Sequence, residues 1–214
     1  MATTIQKPPI IDDSGGWNNV PPMTANRRAL EDSSPASRTG IWVGLAAITM
    51  TFAAFTSAMV VRQASSYDWQ HFTLPPILYF NTAVLLASSG VLELARRRVA
   101  AFVHGDTTRR LDAWLCLWLT MGLGLLFVAG QYAAWLQLRA QGLYLATSPS
   151  ASFFYLLTAV HALHVVGGLA GLMLVISRFS KRRLRISTLS TVSYYWHFIG
   201  ILWIYLLLLL WMRV

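Results

Sequence analysis

The run SFFYLLTAVHALHVVGGLAGLMLVI, residues 152–176, contains no Asp, Glu, Lys or Arg. It is longer than the roughly 20 apolar residues that a helix needs to cross the hydrocarbon core of a bilayer. Lipid offers the peptide backbone no hydrogen-bond partner, so a segment of this kind must be helical. Four further runs have the same character, and together they predict an all-α membrane bundle of five transmembrane helices. The predicted spans are residues 40–61, 75–95, 112–136, 152–176 and 191–211.

The composition excludes an ordinary soluble domain. Of the 214 residues, 56% are hydrophobic and only 12% are charged, whereas soluble domains are about 25% charged. The single cysteine, Cys116, lies within the third span as a small apolar residue, so no disulfide can form within the chain. Residues 1–38 are polar and rich in Pro, Asn, Asp and Ser, which predicts a flexible cytoplasmic tail before a membrane domain of residues 39–214.

The basic residues alternate between the two sides of this membrane domain. Of the 17 Lys and Arg, only Arg62, Arg139 and Arg213 lie on the side of the C-terminus. Cytoplasmic loops retain Lys and Arg, so we expect the N-terminus in the cytoplasm and the C-terminus outside a bacterial-type cytoplasmic (inner) membrane. This placement explains the net charge of +9 without nucleic acid. The cluster after the second span is expected to bind phospholipid headgroups. It consists of Arg96, Arg97 and Arg98.

The carboxylates avoid the middle of the membrane. All eight Asp and Glu lie in the tail, in loops or at span ends, where Glu93 and Asp112 are found. Pumps and transporters place ionisable groups along the path of the transported ion. Transport by this chain alone is therefore disfavoured.

Three histidines lie inside the spans, His161 and His164 in the fourth and His197 in the fifth. One interpretation is a b-type haem anchor, with histidines from facing helices on the iron. The other is structural, with imidazoles that hydrogen-bond across a helix interface. We favour the second, with His164 and His197 joining their helices, because they lie at similar depth and two histidines three apart on one helix cannot make a bis-histidine site. No Cys or carboxylate nearby completes a zinc or copper shell, so we predict no catalytic residue, cofactor site or metal site.

Four segments resemble subunit III of the haem-copper respiratory oxidases, and they follow one another along the chain in the order found in that family. They are LPPILYFNTAVLLASSGVLELA (74–95), GQYAAWLQL (130–138), FFYLLTAVHALHVVGG (153–168) and YYWHFIGILW (194–203). On these segments the chain is identified as a five-helix member of the cytochrome c oxidase subunit III family. The motif residues are Asn81, Thr82, Gln131, His161, His164, Gly168, Tyr195, Trp196, His197 and Trp203.

The resemblance implies a non-catalytic core subunit of an oxidase that reduces oxygen to water in aerobic electron transport. Such a subunit stabilises catalytic subunit I by direct contact and supports its proton uptake; subunit II and other respiratory-complex subunits are further partners. Haem and copper are expected in the partner subunits, and phospholipid is expected to be bound. The family also implies a lipid cleft that separates the first two helices from the last three. An accessory subunit of a nitric oxide reductase, built on the same helical fold, is the alternative.

Three positions depart from the family pattern. Ile48, Ala134 and Gly200 stand where the resemblance places acidic residues. Roles that the family assigns to those acids are not expected of this chain.

Overall fold

A computed structural model describes residues 35–65, 67–103, 110–181, 184 and 186–213. This part of the chain is helical apart from its connections, and it contains α1 (Pro35–Ser65), α2 (Ile77–Val103), α3 (Arg110–Ala140), α4 (Pro149–Ser180) and α5 (Ile186–Arg213). All five helices are long and apolar enough to cross a membrane, which confirms the predicted all-α, multi-pass architecture. The predicted tail before Pro35 lies outside the described residues.

Every predicted span lies within or close to one helix, but the helices are longer than the spans. For example, α1 runs to Ser65 and α3 to Ala140, beyond the predicted ends at residues 61 and 136. Hydropathy detects only the part of a helix that lies in hydrocarbon. The polar turns that extend a helix into the interface are helical without being apolar.

Four of the helices close into a ring around a common core. Helix α2 packs on α3, α3 on α4, α4 on α5, and α5 back on α2, while α1 packs from outside on α4 and α5. Consecutive helices in the ring cross the membrane in opposite directions, so neighbouring pairs are antiparallel. The side chains that fill the ring include Leu117, Phe127, Leu157, Trp196 and Trp203.

The division into a two-helix and a three-helix group stays a prediction. Helices α1 and α2, which would form the smaller group, share no close backbone contact in the described part of the chain, whereas α5 contacts both. The connection at residues 67–75 contains neither helix nor strand. At about 3.3 Å per residue it is long enough to carry the chain past a helix of roughly 10 Å diameter.

Helix α1 is held by a narrow stripe. Leu45, Phe52 and Met59 are its buried apolar residues, spaced seven apart along one face. Beside this stripe the Tyr205 hydroxyl of α5 donates a hydrogen bond to Thr56 Oγ1 at 2.9 Å. The rest of the circumference of α1 is mostly exposed, so it is free to meet lipid or another protein chain.

At the end of the bundle that holds the C-terminus of α5, loop contacts tie the helices together. Trp69 Nε1 donates to the Arg213 carbonyl oxygen at 2.9 Å, which fastens the α1–α2 connection to the end of α5. Ser150 Oγ donates to the Gln70 carbonyl oxygen at 2.6 Å, which fastens the same connection to the start of α4. Ser148 caps α4, since its hydroxyl accepts from Ala151 N at 3.3 Å.

Candidate functional site

The centre of the ring is built around the indole of Trp196, which is 1% exposed. Gly124 on α3 and Gly168 on α4 leave the space that this ring occupies. A Cβ atom on Gly124 would lie 2.7 Å from Trp196 Cη2, and one on Gly168 would lie 3.0 Å from Trp196 Cε3. Carbon atoms pack best at about 3.5–4.0 Å, so neither position accepts a side chain without displacing the indole. The two glycines thus let three helices meet around one tryptophan.

Two indole N–H groups of α5 reach hydroxyls on α2. Trp196 Nε1 donates to Ser88 Oγ at 3.1 Å, and Trp203 Nε1 donates to Thr82 Oγ1 at 3.0 Å. Each hydroxyl in turn donates within α2, Ser88 to the Leu85 carbonyl oxygen at 2.7 Å and Thr82 to that of Leu78 at 2.8 Å. All these donors are therefore satisfied without water, as an interface inside a membrane requires.

A third bond of the same kind joins α3 to α4. Trp135 Nε1 donates to Thr158 Oγ1 at 3.0 Å, and Thr158 donates to the Phe154 carbonyl oxygen at 2.7 Å. The roles of Thr158 and Ser88 were not predicted from the sequence. The sequence pattern that could predict such a bond is a tryptophan and a small hydroxyl residue at the same depth on neighbouring helices.

His161 lies in the same core and is 0% exposed. Its ring centroid lies 5.0 Å from that of Trp203 and 5.9 Å from that of Phe127. Neither ring nitrogen has a hydrogen-bond partner among the described residues. Within this part of the chain, His161 therefore joins α3, α4 and α5 through ring packing rather than through the predicted hydrogen bonds.

His164 points toward a different neighbour from the one expected. Its ring lies 5.8 Å from that of Phe52 on α1, and its Nδ1 donates to the Val160 carbonyl oxygen of its own helix at 2.7 Å. The link from α4 to α5 comes instead from the Tyr195 hydroxyl, which donates to the His164 carbonyl oxygen at 3.1 Å. His197 is partly buried. The His164 ring thus faces α1 and bonds its own helix, and it does not make the predicted hydrogen bond between α4 and α5.

The motif residues divide into a buried set and a partly buried set. His164, Tyr195 and His197 are only partly buried, and so is Thr82, whose hydroxyl accepts the Trp203 bond. The others are buried. That buried set is Asn81, Gln131, His161, Gly168, Trp196 and Trp203.

The arginine cluster near the C-terminal end of α2 pairs with carboxylates. Arg96 and Arg97 both bond Glu93, at 2.8 and 3.1 Å, and Arg98 bonds Asp112 at the start of α3. The last pair ties α2 to α3. Three guanidinium groups thus meet two carboxylates, which leaves a net positive charge in this cluster.

Two of the departures from the family pattern lie on packing surfaces. Ala134 is 0% exposed in the core, so an acid there would be buried. Ile48 packs against the core one turn before Phe52, the residue that contacts His164. Apolar side chains thus occupy both places, and packing accounts for them.

The arrangement as a whole suits helix packing rather than chemistry. In the described part of the chain, no three His, Cys, Asp or Glu side chains gather closely enough to hold a metal ion. The buried polar groups that have partners are bonded to neighbouring helices or to their own helix. The fold and its centre define a polytopic helical membrane protein in which the motif tryptophans join helices.

Comparison with known proteins identifies the family. Residues 43–213 match the family model described as cytochrome c oxidase subunit III, and the chain belongs to this family. A probable cytochrome c oxidase subunit 3 of Mycobacterium leprae is 35% identical over 176 residues, 77% of this chain and 82% of the relative. The cytochrome c oxidase subunit 3 of Corynebacterium diphtheriae is 32% identical over 156 residues, 70% and 72% of the two chains. The probable subunit 3 of Nocardia farcinica is 36% identical over 126 residues, so the match spans only 59% of that relative.

Proposed function

We propose that this chain is the non-catalytic subunit III of a haem-copper oxidase that reduces oxygen to water, and that it stabilises catalytic subunit I. Family membership over residues 43–213 supports the first part. The second part rests on the motif tryptophans, since both Trp196 and Trp203 form hydrogen bonds between helices inside the ring. A rigid bundle of this kind can serve as a fixed surface for a partner in the membrane.

The surface that we propose for the partner is the side of α1 that the other helices leave exposed. Helix α1 buries only a narrow stripe, and large apolar side chains such as Trp42, Val43 and Met50 are more than 60% exposed on it. Between helices in lipid there is little hydrophobic driving force, so association depends on close packing of such faces. Subunit I is the proposed direct partner, and subunit II and other respiratory-complex subunits complete the assembly. Haem and copper belong to those partners in this proposal.

The proposed location is a bacterial-type cytoplasmic membrane with the N-terminus inside. The arginine distribution supports this orientation through the positive-inside rule. Phospholipid headgroups are proposed to bind beside Arg96, Arg97 and Arg98, where positive charge exceeds the local carboxylates. Support of proton uptake by subunit I belongs to the same proposal, acting through a stabilised partner.

A haem-b anchor is less well supported by the geometry. His161 is 0% exposed and packs against the rings of Phe127 and Trp203. The His164 ring lies against Phe52 of α1, so it is not paired with His197 of α5 as a bis-histidine haem site between these helices requires. The imidazoles thus serve packing in this arrangement.

The test is to compare the oxidase with and without this chain. We expect the complex purified from a deletion strain to show normal initial turnover and then to lose activity faster, because subunit I lacks its support. The wild-type complex and a deletion strain carrying the gene on a plasmid are the controls. Equal inactivation rates in all three preparations would refute a stabilising role, and absence of initial turnover would point to a direct catalytic one.

A further inference from the structure

Three buried polar side chains in the ring stand apart from the satisfied bonds described above. Asn81 is 0% exposed, Gln131 1% and His161 0%. Both side-chain amide atoms of Asn81 and of Gln131, and both ring nitrogens of His161, have no hydrogen-bond partner among the described residues. They come from three different helices, α2, α3 and α4.

Asn81 and Gln131 lie at the same level of the bundle. A Cβ atom on Gly130, the residue before Gln131, would lie 3.0 Å from Asn81 Nδ2 and closer still to its Oδ1. The Asn81 amide is therefore pressed against the α3 backbone at the turn that carries Gln131.

Gln131 and His161 are also level with each other. Trp135, one turn after Gln131 on α3, donates a hydrogen bond to Thr158 on α4. Phe127, one turn before Gln131, packs on His161 of α4. Because α3 and α4 are antiparallel, Gln131 must lie opposite the single turn of α4 from Thr158 to His161. The three polar side chains thus form one layer across α2, α3 and α4.

Such a layer needs hydrogen-bond partners. An unpaired amide or imidazole in an apolar interior carries a large desolvation penalty, and buried groups in folded proteins are almost always bonded to protein or to water. Buried water molecules typically make about three hydrogen bonds to groups of this kind. The layer offers both donors and acceptors and contains no carboxylate, so its chemistry suits water rather than a metal cation.

We propose that water molecules bind in this layer and bridge Asn81, Gln131 and His161. The water would connect α2, α3 and α4 through the six side-chain atoms of these residues that have no hydrogen-bond partner among the described residues. The site is a property of the bundle itself and is independent of which complex the chain joins.

A cryo-electron microscopy map of the native complex, at a resolution that shows ordered water, tests the proposal directly. We expect density at about 2.7–3.2 Å from polar atoms of at least two of the three residues. A layer without such density would overturn the proposal. So would a direct bond between the Asn81 and Gln131 amides that leaves no room for water.

Stability supplies a second readout, with Gln131→Met and Asn81→Leu as shape-conserving variants in the complex. If water bridges the layer, each variant breaks satisfied bonds and should lower the unfolding midpoint of the subunit by about 2–4 °C. Leu138→Met, at a fully buried position on α3, is the control for a volume-conserving exchange. An unchanged or raised midpoint in both polar variants, relative to this control, would contradict the proposal, because removing unsatisfied groups does not destabilise a protein.

Discussion

Replacing Gly124 with alanine tests whether the indole of Trp196 fills the space that the glycine leaves. The new Cβ would lie 2.7 Å from both Trp196 Cη2 and Leu169 Cδ2. The leucine can turn aside, but the indole is held by its bond to Ser88 at one end and by contact with Gly168 at the other. Overpacking of this kind costs about 1–3 kcal/mol.

The matched control is Gly122→Ala, two residues away on the same helix, where a Cβ would meet nothing within 4 Å. This change is expected to be neutral or to stabilise the helix by up to about 1 kcal/mol. A difference of about 2 kcal/mol between the two variants corresponds to roughly a 30-fold difference in the unfolding equilibrium constant. Unfolding of the purified chain in mixed micelles, followed by circular dichroism, measures it.

A double variant separates the indole contact from other effects. Trp196→Phe removes the outer atoms of the indole, so its cost should be smaller in the Gly124→Ala background than in the wild type. Equal stability of Gly122→Ala and Gly124→Ala, or purely additive costs in the double variant, would refute the packing argument.

Three further predictions concern the bonds, the orientation and the metals. Trp203→Phe removes the N–H bond to Thr82 and should cost about 1–2 kcal/mol of subunit stability, measured by thermal unfolding; no loss would show that the bond contributes nothing. Cysteines introduced at Ser180 and Ala146, both exposed, should react with an impermeant reagent from the cytoplasmic and the external side, respectively, and the reverse pattern in intact cells would invert the proposed orientation. Metal analysis of the isolated chain should find no stoichiometric iron or copper, whereas iron that disappears in His197→Ala would support a haem anchor.

Hydropathy and motif order were enough to predict the five spans and the family, because burial in lipid constrains every residue of a span. The rotation of each helix about its own axis, which decides the neighbour that a side chain faces, was harder to predict from the sequence. The rise per residue predicts a similar depth for His164 and His197, but it does not predict that the His164 ring faces Phe52 of α1. Which helix stands beside which depends on the whole bundle, and no single span encodes it.

The hydrogen-bond partner of Trp196 could not be predicted from the sequence for the same reason. The sequence marks the tryptophan as part of a motif, and Gly168 as another, yet Ser88 lies on a helix far away in the chain. Only the closure of the ring between α2 and α5 brings the indole to that hydroxyl. Even between consecutive helices the sequence did not predict the partner, since the bond from Trp135 to Thr158 was not expected either.

The most direct test of the proposed function is affinity purification of the tagged full-length chain from its native membranes in mild detergent. The account predicts stoichiometric recovery of a catalytic subunit I, together with haem and copper in the purified complex and oxygen-reducing activity. Recovery of the chain alone, or with partners that hold no haem and copper, would contradict it. So would a partner complex that reduces nitric oxide but not oxygen.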